Sequence, residues 1–436
     1  MMNKVCKALK LMLNIAVAVV VGTVLMIAVY CLPVESMREH VLDSNMIQYK
    51  ETDIYYWAPG VVSSKLDGFT DSLMLNNAVF SGSGSVVKDA MNNPYVIVKD
   101  MEQSKGLVKY LVDDSLETQI VNYPRYWHGY LVWLKPLLMI MSYADMRIVF
   151  MFLQGILAML TIIELYKYTG YRGTVPFGFM LFCMNPISTA MCMQYACMYT
   201  ITLAAAYIML KFKVFESSKY LYFFLWIGIC TAFFDFLTYP VVGLGVTLIL
   251  FIMLGGDSLG SNIRRIVLSS ISWLCGYAGM WIGKWIVAYI LTGNNVLKDG
   301  FGAALYRSVG DSMEELGVSS SSAGSVIRNN VEQLLSTPLL WVIALLIIAL
   351  IGLLLLRILR VKIDIVKLAS FAVVGLYPFV WYSVIRNHSA VHSWMTHRNL
   401  AVTIFAIAAM ITYSVYRDSS VKLTLKRKRE DIRGAN

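Results

Sequence analysis

Apolar windows of about 20 residues, the length that crosses a hydrocarbon core of about 30 Å, recur in this chain from residue 8 into its last few dozen positions. That recurrence restricts the fold more than any motif does. With 58% hydrophobic and 15% charged residues and a mean hydropathy of +0.63, the composition lies far from that of a soluble globular domain. The expected fold is an all-α polytopic membrane protein with about ten transmembrane helices. Apolar runs place these near residues 8–31, 145–166, 174–191, 194–211, 219–236, 238–255, 266–291, 338–356, 368–385 and 399–416. Between the first two lies a long polar insertion, residues 33–142.

The formal charge of +10 is sorted along the chain. Basic residues gather at Lys4, Lys7 and Lys10, at Lys167 and Arg172, at Lys211 and Lys213, and at Arg264 and Arg265. They recur at Arg357, Arg360, Lys362 and Lys367, and in the tail from Lys422 to Arg433. One crossing per window puts all of these clusters on one side, which the positive-inside rule makes cytoplasmic, together with both termini. Residues 33–134 carry eight Lys or Arg against thirteen Asp or Glu, net −5, the opposite sign. The basic residues therefore read as topology signals and contacts to anionic lipid rather than as a nucleic-acid surface. Seven cysteines fall in or beside apolar spans without C-x-x-C or Cys/His spacing, so they read as small buried hydrophobes. No metal or other cofactor is expected.

The chain divides into a first transmembrane helix (1–32), an extracytoplasmic loop with short helices and an interfacial helix (33–142) and a transmembrane module (143–292). A second extracytoplasmic loop (293–337), C-terminal transmembrane helices (338–417) and a basic cytoplasmic tail (418–436) follow. The second loop contains a Ser319-Ser320-Ser321-Ser322 run. The stretch 129–142, apolar but interrupted by Lys135 and Pro136, reads as a helix lying along the membrane surface.

The polar residues that are costly near a bilayer collect on the predicted outer face. All five histidines, His40, His128, His388, His392 and His397, are there. In Lys65-Leu66-Asp67-Gly68-Phe69-Thr70-Asp71-Ser72, Asp67 and Asp71 are candidate general bases. Thr70 is a candidate N-cap that leaves Asp71 in the field of a helix start. Arg125, Tyr126, Trp127 and His128 form an aromatic-basic cluster just before the surface helix, in which Arg125 and His128 are suited to hold a phosphate. Asp235 and Tyr239 lie at the outer end of a span; the carboxylate serves either substrate contact or the capping of a helix. Lys284 either snorkels to the headgroups or binds an anionic lipid. The short loop Arg386 to Arg398, with His388, His392, His397 and Arg398, retains positive charge outside, as an anion site would. His388 and His392 share a helical face, but no His-Glu-x-x-His motif accompanies them.

One leading span, a large acidic outer loop, an interfacial helix and a bundle with polar outer hairpins together resemble the GT-C class of integral-membrane glycosyltransferases, in particular uncharacterised bacterial relatives of that class. Tyr123-Pro124 is similar to the aromatic-proline stretch of several members, and the Asp235 to Pro240 and His388 to Arg398 segments are similar to segments of those bacterial proteins. The resemblance implies a bacterial plasma-membrane enzyme that moves a sugar from a polyprenyl-phosphate donor to an extracytoplasmic acceptor, a cell-surface glycan or lipid-linked saccharide. It makes Asp71 or Asp67 the base. The chain departs from the class in lacking an acidic doublet early in the first loop; Asp113-Asp114 lies far down it. The rival reading is a non-enzymatic lipid-linked saccharide transporter or flippase, for which Asn185-Pro186 inside a span is the best argument.

Overall fold

The computed structural model describes residues 2–44, 53–113, 115–256, 258–308, 322–336 and 361–417, together with Trp341, Ala344, Leu345, Ile348 and Gly352. The basic tail, most of the predicted span 338–356, most of the serine run and Asp114 lie outside the described residues.

Helix α1 (Met2–Tyr30) is followed by α2 (Glu35–Leu42), α3 (Gly68–Ala78), α4 (Val86–Asn92), α5 (Gln103–Val112) and α6 (Leu131–Leu138). The central bundle comprises α7 (Tyr143–Thr169), α8 (Tyr171–Cys183), α9 (Pro186–Met191), α10 (Met193–Lys211), α11 (Tyr220–Phe234), α12 (Val241–Leu254) and α13 (Leu259–Thr292). Then come α14 (Val296–Ser308), α15 (Ala323–Leu335), α16 (Ile365–Gly375), α17 (Tyr377–Val384), α18 (Arg386–Val391) and α19 (Ala401–Thr412). Among the described residues, six helices or continuous helical runs are long and apolar enough to cross a membrane: Ala8–Tyr30, Tyr143–Thr169, Met193–Lys211, Leu259–Thr292, Ile365–Val384 and Ser393–Thr412. Two shorter apolar helices, α11 and α12, pack among them. The architecture is thus that of an all-α membrane protein, with three two-stranded antiparallel ribbons added to it.

Local chemistry sets the helix boundaries. Helix α7 begins with a reciprocal capping box, the Ser142 hydroxyl accepting from the Asp145 amide and the Asp145 carboxylate accepting from the Ser142 amide. The predicted span 174–191 is broken at Asn185, whose φ of 57° lies in the left-handed region. Pro186 follows and lacks the N–H that a continuous helix needs, so α8 ends and a short α9 starts afresh. The predicted span 368–385 corresponds to the continuous run Ile365–Val384, in which α16 passes to α17 at Leu376 without leaving right-handed helical backbone. Helices α11 and α13 approach to backbone contact. A Cβ at Gly228 would fall 2.1 Å from the Trp273 carbonyl oxygen, and one at Gly276 would fall 2.2 Å from that of Leu225, the close approach that small residues allow between membrane helices.

The insertion folds onto one end of this bundle through buried polar contacts. The Asn76 side chain pairs with both backbone groups of Val96 at 2.8 Å. The Asn77 amide donates to the carbonyls of Asn93 and Pro94, and Lys135 donates to the Ala78 carbonyl at 2.7 Å. Helix α6 buries Leu131, Leu134, Lys135 and Leu138, so the interfacial stretch is enclosed by protein along one face. The opposite end of the bundle is basic: Lys167 and Lys211 both reach Glu164, and Arg172 donates to the carbonyls of Thr412, Tyr413 and Val415.

Candidate functional site

The hairpin β1 (Ile54–Tyr56) and β2 (Lys65–Asp67), in register Ile54 to Asp67, delivers Asp67 to the first turn of α3. Asp67, not Thr70, is the N-cap: its Oδ1 accepts from the Thr70 amide at 3.0 Å and its Oδ2 from the Thr70 hydroxyl at 3.0 Å. A carboxylate offers more acceptor sites than a threonine hydroxyl and sits one position ahead of the first helical residue, the geometry capping requires. Thr70 becomes the third helical residue and supplies donors instead.

Asp67 faces a cavity of about 380 Å³ between the insertion and the short helices that close the bundle. Lys65 lines it beside Asp67, since alternate residues of a strand share a face. Tyr123 and Tyr126 enter from the end of the insertion, Gln194 from the first turn of α10, Phe236 from the turn after α11, and Arg307 from α14. His388, His392 and Trp394 complete the wall. The Lys65 ammonium stands 4.0 Å from the centre of the Trp394 ring, and the Arg307 guanidinium 5.1 Å from that of Tyr126. Neither cation forms an ion pair with a carboxylate among the described residues. Asp53, also in the wall, is committed to the amides of Gln103 and Ser104 at the start of α5.

Burial sets the protonation states around the cavity. It pushes the Asp67 carboxyl upward, opposed by its bonds to Thr70 and by Lys65, and it lowers the Lys65 ammonium. His388 is held well below its ordinary range by burial and by His392. His392 is lowered to about 4 by burial, Arg307 and Lys65. Both imidazoles are therefore neutral near pH 7. Their ring centres are 4.6 Å apart, and the His388 Nε2 lies 2.9 Å from the carbonyl of Leu237, which assigns the proton to that nitrogen.

Of the residues singled out in the sequence, Asp67, Tyr126, His388 and His392 meet in this cavity. The others are placed elsewhere. Asp71 lies behind the wall and caps α10: its carboxylate accepts from the amides of Met193 and Gln194 at 3.0 and 3.1 Å and from the Tyr143 hydroxyl. Burial pushes it up to about 6 against those bonds and against Arg147. Arg125 sits in a separate shallow hollow, 3.5 Å from Asp299. Trp127 is buried and donates to the Met280 carbonyl at 2.7 Å. His128 is buried between the Tyr130 hydroxyl and the Tyr123 carbonyl, each at 2.9 Å. Asp235 accepts from the amide and hydroxyl of Thr238, which closes the turn that holds Leu237 at a φ of 63°. Tyr239 donates to the Tyr195 carbonyl.

Lys284 reaches neither lipid nor solvent: it is fully buried and donates to the Met91 carbonyl at 2.9 Å and to Asn93 Oδ1 at 3.1 Å. His397 Nδ1 is 3.1 Å from the Ser393 carbonyl. Arg398 donates to the carbonyls of Ser63, Trp394 and Met184 and stacks 4.2 Å over Tyr195. The cations thought free are thus occupied, whereas Lys65 and Arg307 take the open positions. Lys65 was legible as the residue two before Asp67 on a strand; Arg307, on a helix of the second loop, carried no local signal. Among the described residues, no three His, Cys, Asp or Glu side chains assemble as a metal cage.

A second hollow of about 360 Å³ is walled by apolar side chains of α6, α7, α10 and α11, among them Trp133, Leu137, Phe150, Leu153, Ala204 and Phe234. It shares no lining residue with the polar cavity. Gln194 and Phe236 face the cavity, while Ala196 and Phe234, two residues from each, face the apolar trough. No family model, curated protein or solved structure matches the chain.

Proposed function

We propose that the protein is a membrane glycosyltransferase of GT-C type that moves a sugar from a polyprenyl-phosphate donor to an extracytoplasmic acceptor. The observation that carries this reading is the meeting of one carboxylate, Asp67, with two cations that lack carboxylate partners among the described residues, Lys65 and Arg307, in one cavity of a protein that also bears a separate apolar trough. The donor phosphate lies against Lys65 and Arg307, and the isoprenoid chain runs along the trough. The acceptor oxygen attacks the anomeric carbon as its bond to the phosphate oxygen breaks. The acceptor proton passes to Asp67, and the bonding pair leaves on the phosphate, where the two cations stabilise the charge. Inversion in a single displacement needs one base, and the cavity supplies one carboxylate not already committed to capping a second element. Its pKa, raised by burial, moves it toward the range in which a general base works best. The charge sorting favours cytoplasmic termini, and the resemblance to GT-C enzymes of bacteria implies the bacterial plasma membrane as the setting.

The test is transfer of a radiolabelled sugar from a polyprenyl-phosphate donor by membranes containing the full-length chain. Asp67→Asn and Arg307→Gln each abolish most of the product while the protein level holds. Undiminished transfer by both variants, or donor translocation without transfer by the intact protein, rejects the proposal.

A further inference from the structure

Three polar atoms in or behind the cavity wall are shielded from solvent and have no hydrogen-bond partner among the described residues: Gln194 Oε1, His392 Nδ1 and Trp394 Nε1. Gln194 is only 5% exposed. Its backbone amide is pinned by Asp71 at 3.1 Å, and among the described residues its side-chain Nε2 meets the Met395 thioether, at 3.5 Å. His392 and Trp394 pack edge to face with ring centres 5.0 Å apart. Leaving such atoms unpaired in a protein interior is costly, and all three belong to residues that line one hollow, where a small rotation of the side chain presents each to a ligand.

We infer that Gln194, His392 and Trp394 form the subsite that reads the hydroxyl groups of the transferred sugar. Their chemistry is complementary to a neutral polyol: a carbonyl that accepts, an indole N–H that donates, and an imidazole nitrogen that does either according to its tautomer. The set is unsuited to an apolar tail, which would leave all three unpaired. The anion end abuts it, because the Lys65 ammonium lies against the ring face of Trp394 and Arg307 against that of Tyr126. A site built around hydroxyl partners rejects analogues that lack them far more strongly than a site built on shape. The three residues therefore determine which sugar is accepted.

This inference rests on the donor reading above, and three probes separate their fates. Full-length protein in detergent micelles is titrated with farnesyl phosphate and with its mannosyl and glucosyl phosphodiesters. The wild type binds at least one glycosylated probe about tenfold more tightly than farnesyl phosphate, and the two sugars differ. Gln194→Met and Trp394→Phe, which keep size and ring, erase that preference while retaining farnesyl phosphate binding, and that retention also reports their folding. An unchanged preference in both variants overturns the subsite and leaves the donor reading standing. Failure of the wild type to bind any of the three probes overturns both.

Discussion

The Tyr143 hydroxyl donates to the Asp71 carboxylate, joining helix α3 of the insertion to the first turn of α7. Arg147, one turn further along α7, donates to the same hydroxyl at 2.8 Å. The α10 amides of Met193 and Gln194 complete the coordination of that carboxylate. One acidic residue thus ties together three elements, and that is a structural task.

Loss of Asp71 should accordingly be felt in stability first. Asp71→Ala leaves two backbone amides without an acceptor, each costing about 1–3 kcal/mol when buried, and the Tyr143 hydroxyl with the long bond to the Met191 carbonyl at 3.4 Å. We expect a fall of several degrees in the melting midpoint of the solubilised protein. A double-mutant cycle with Tyr143→Phe should return a coupling of about 1 kcal/mol or more. Independent effects would remove the link.

Asp67 should behave in the opposite way. Asp67→Asn keeps an oxygen for the Thr70 amide and costs about 1 kcal/mol or less, yet it removes the proposed base, a loss of about 10²–10⁴ in transfer rate. Melting and transfer measured on the same preparation decide this. A variant that transfers normally shows Asp67 to be a cap and nothing more.

Lys284 provides a further contrast. Its two acceptors are the Met91 carbonyl and Asn93 Oδ1, so Lys284→Met should destabilise the docking of the insertion by about 2 kcal/mol. Binding to vesicles of anionic lipid should be unchanged. Weakened vesicle binding with an unaltered melting midpoint would reverse the assignment.

His128 makes the fold sensitive to acid. Burial, with a smaller contribution from Lys284, lowers its imidazole from the ordinary 6.5 to about 3. The unfolded chain therefore binds more protons than the folded one between those values. Its contribution to stability is complete above pH 6.5 and declines by about 1.4 kcal/mol for each pH unit below that. His128→Asn, compatible with the φ of 53° at this position, should lose less stability than the wild type between pH 7 and pH 5. Parallel pH profiles for the two proteins would contradict this origin.

Membrane embedding, the polar insertion, the gathering of imidazoles at one end and of basic residues at the other were all legible in the order of residues. The reason is that hydrophobic run length and charge sorting are set by the bilayer, and each is a local property of the chain. The roles of individual polar residues were not. Asp67 and Asp71 share one short motif, yet one faces the cavity and the other caps a helix more than a hundred residues away. Arg398 and Arg307 are both arginines of loops near the same end of the bundle, yet carbonyls of three segments occupy the first while the second lines the cavity. Whether a buried charge is spent on the fold or left for a ligand depends on which distant carbonyls and amides the packing brings within about 3 Å of it. Sequence alone determined the solvent this protein lives in and which end of it bears the unusual chemistry. Only the tertiary structure decided which of those groups remain open to a ligand, because hydrogen-bond partners here come from residues far apart along the chain.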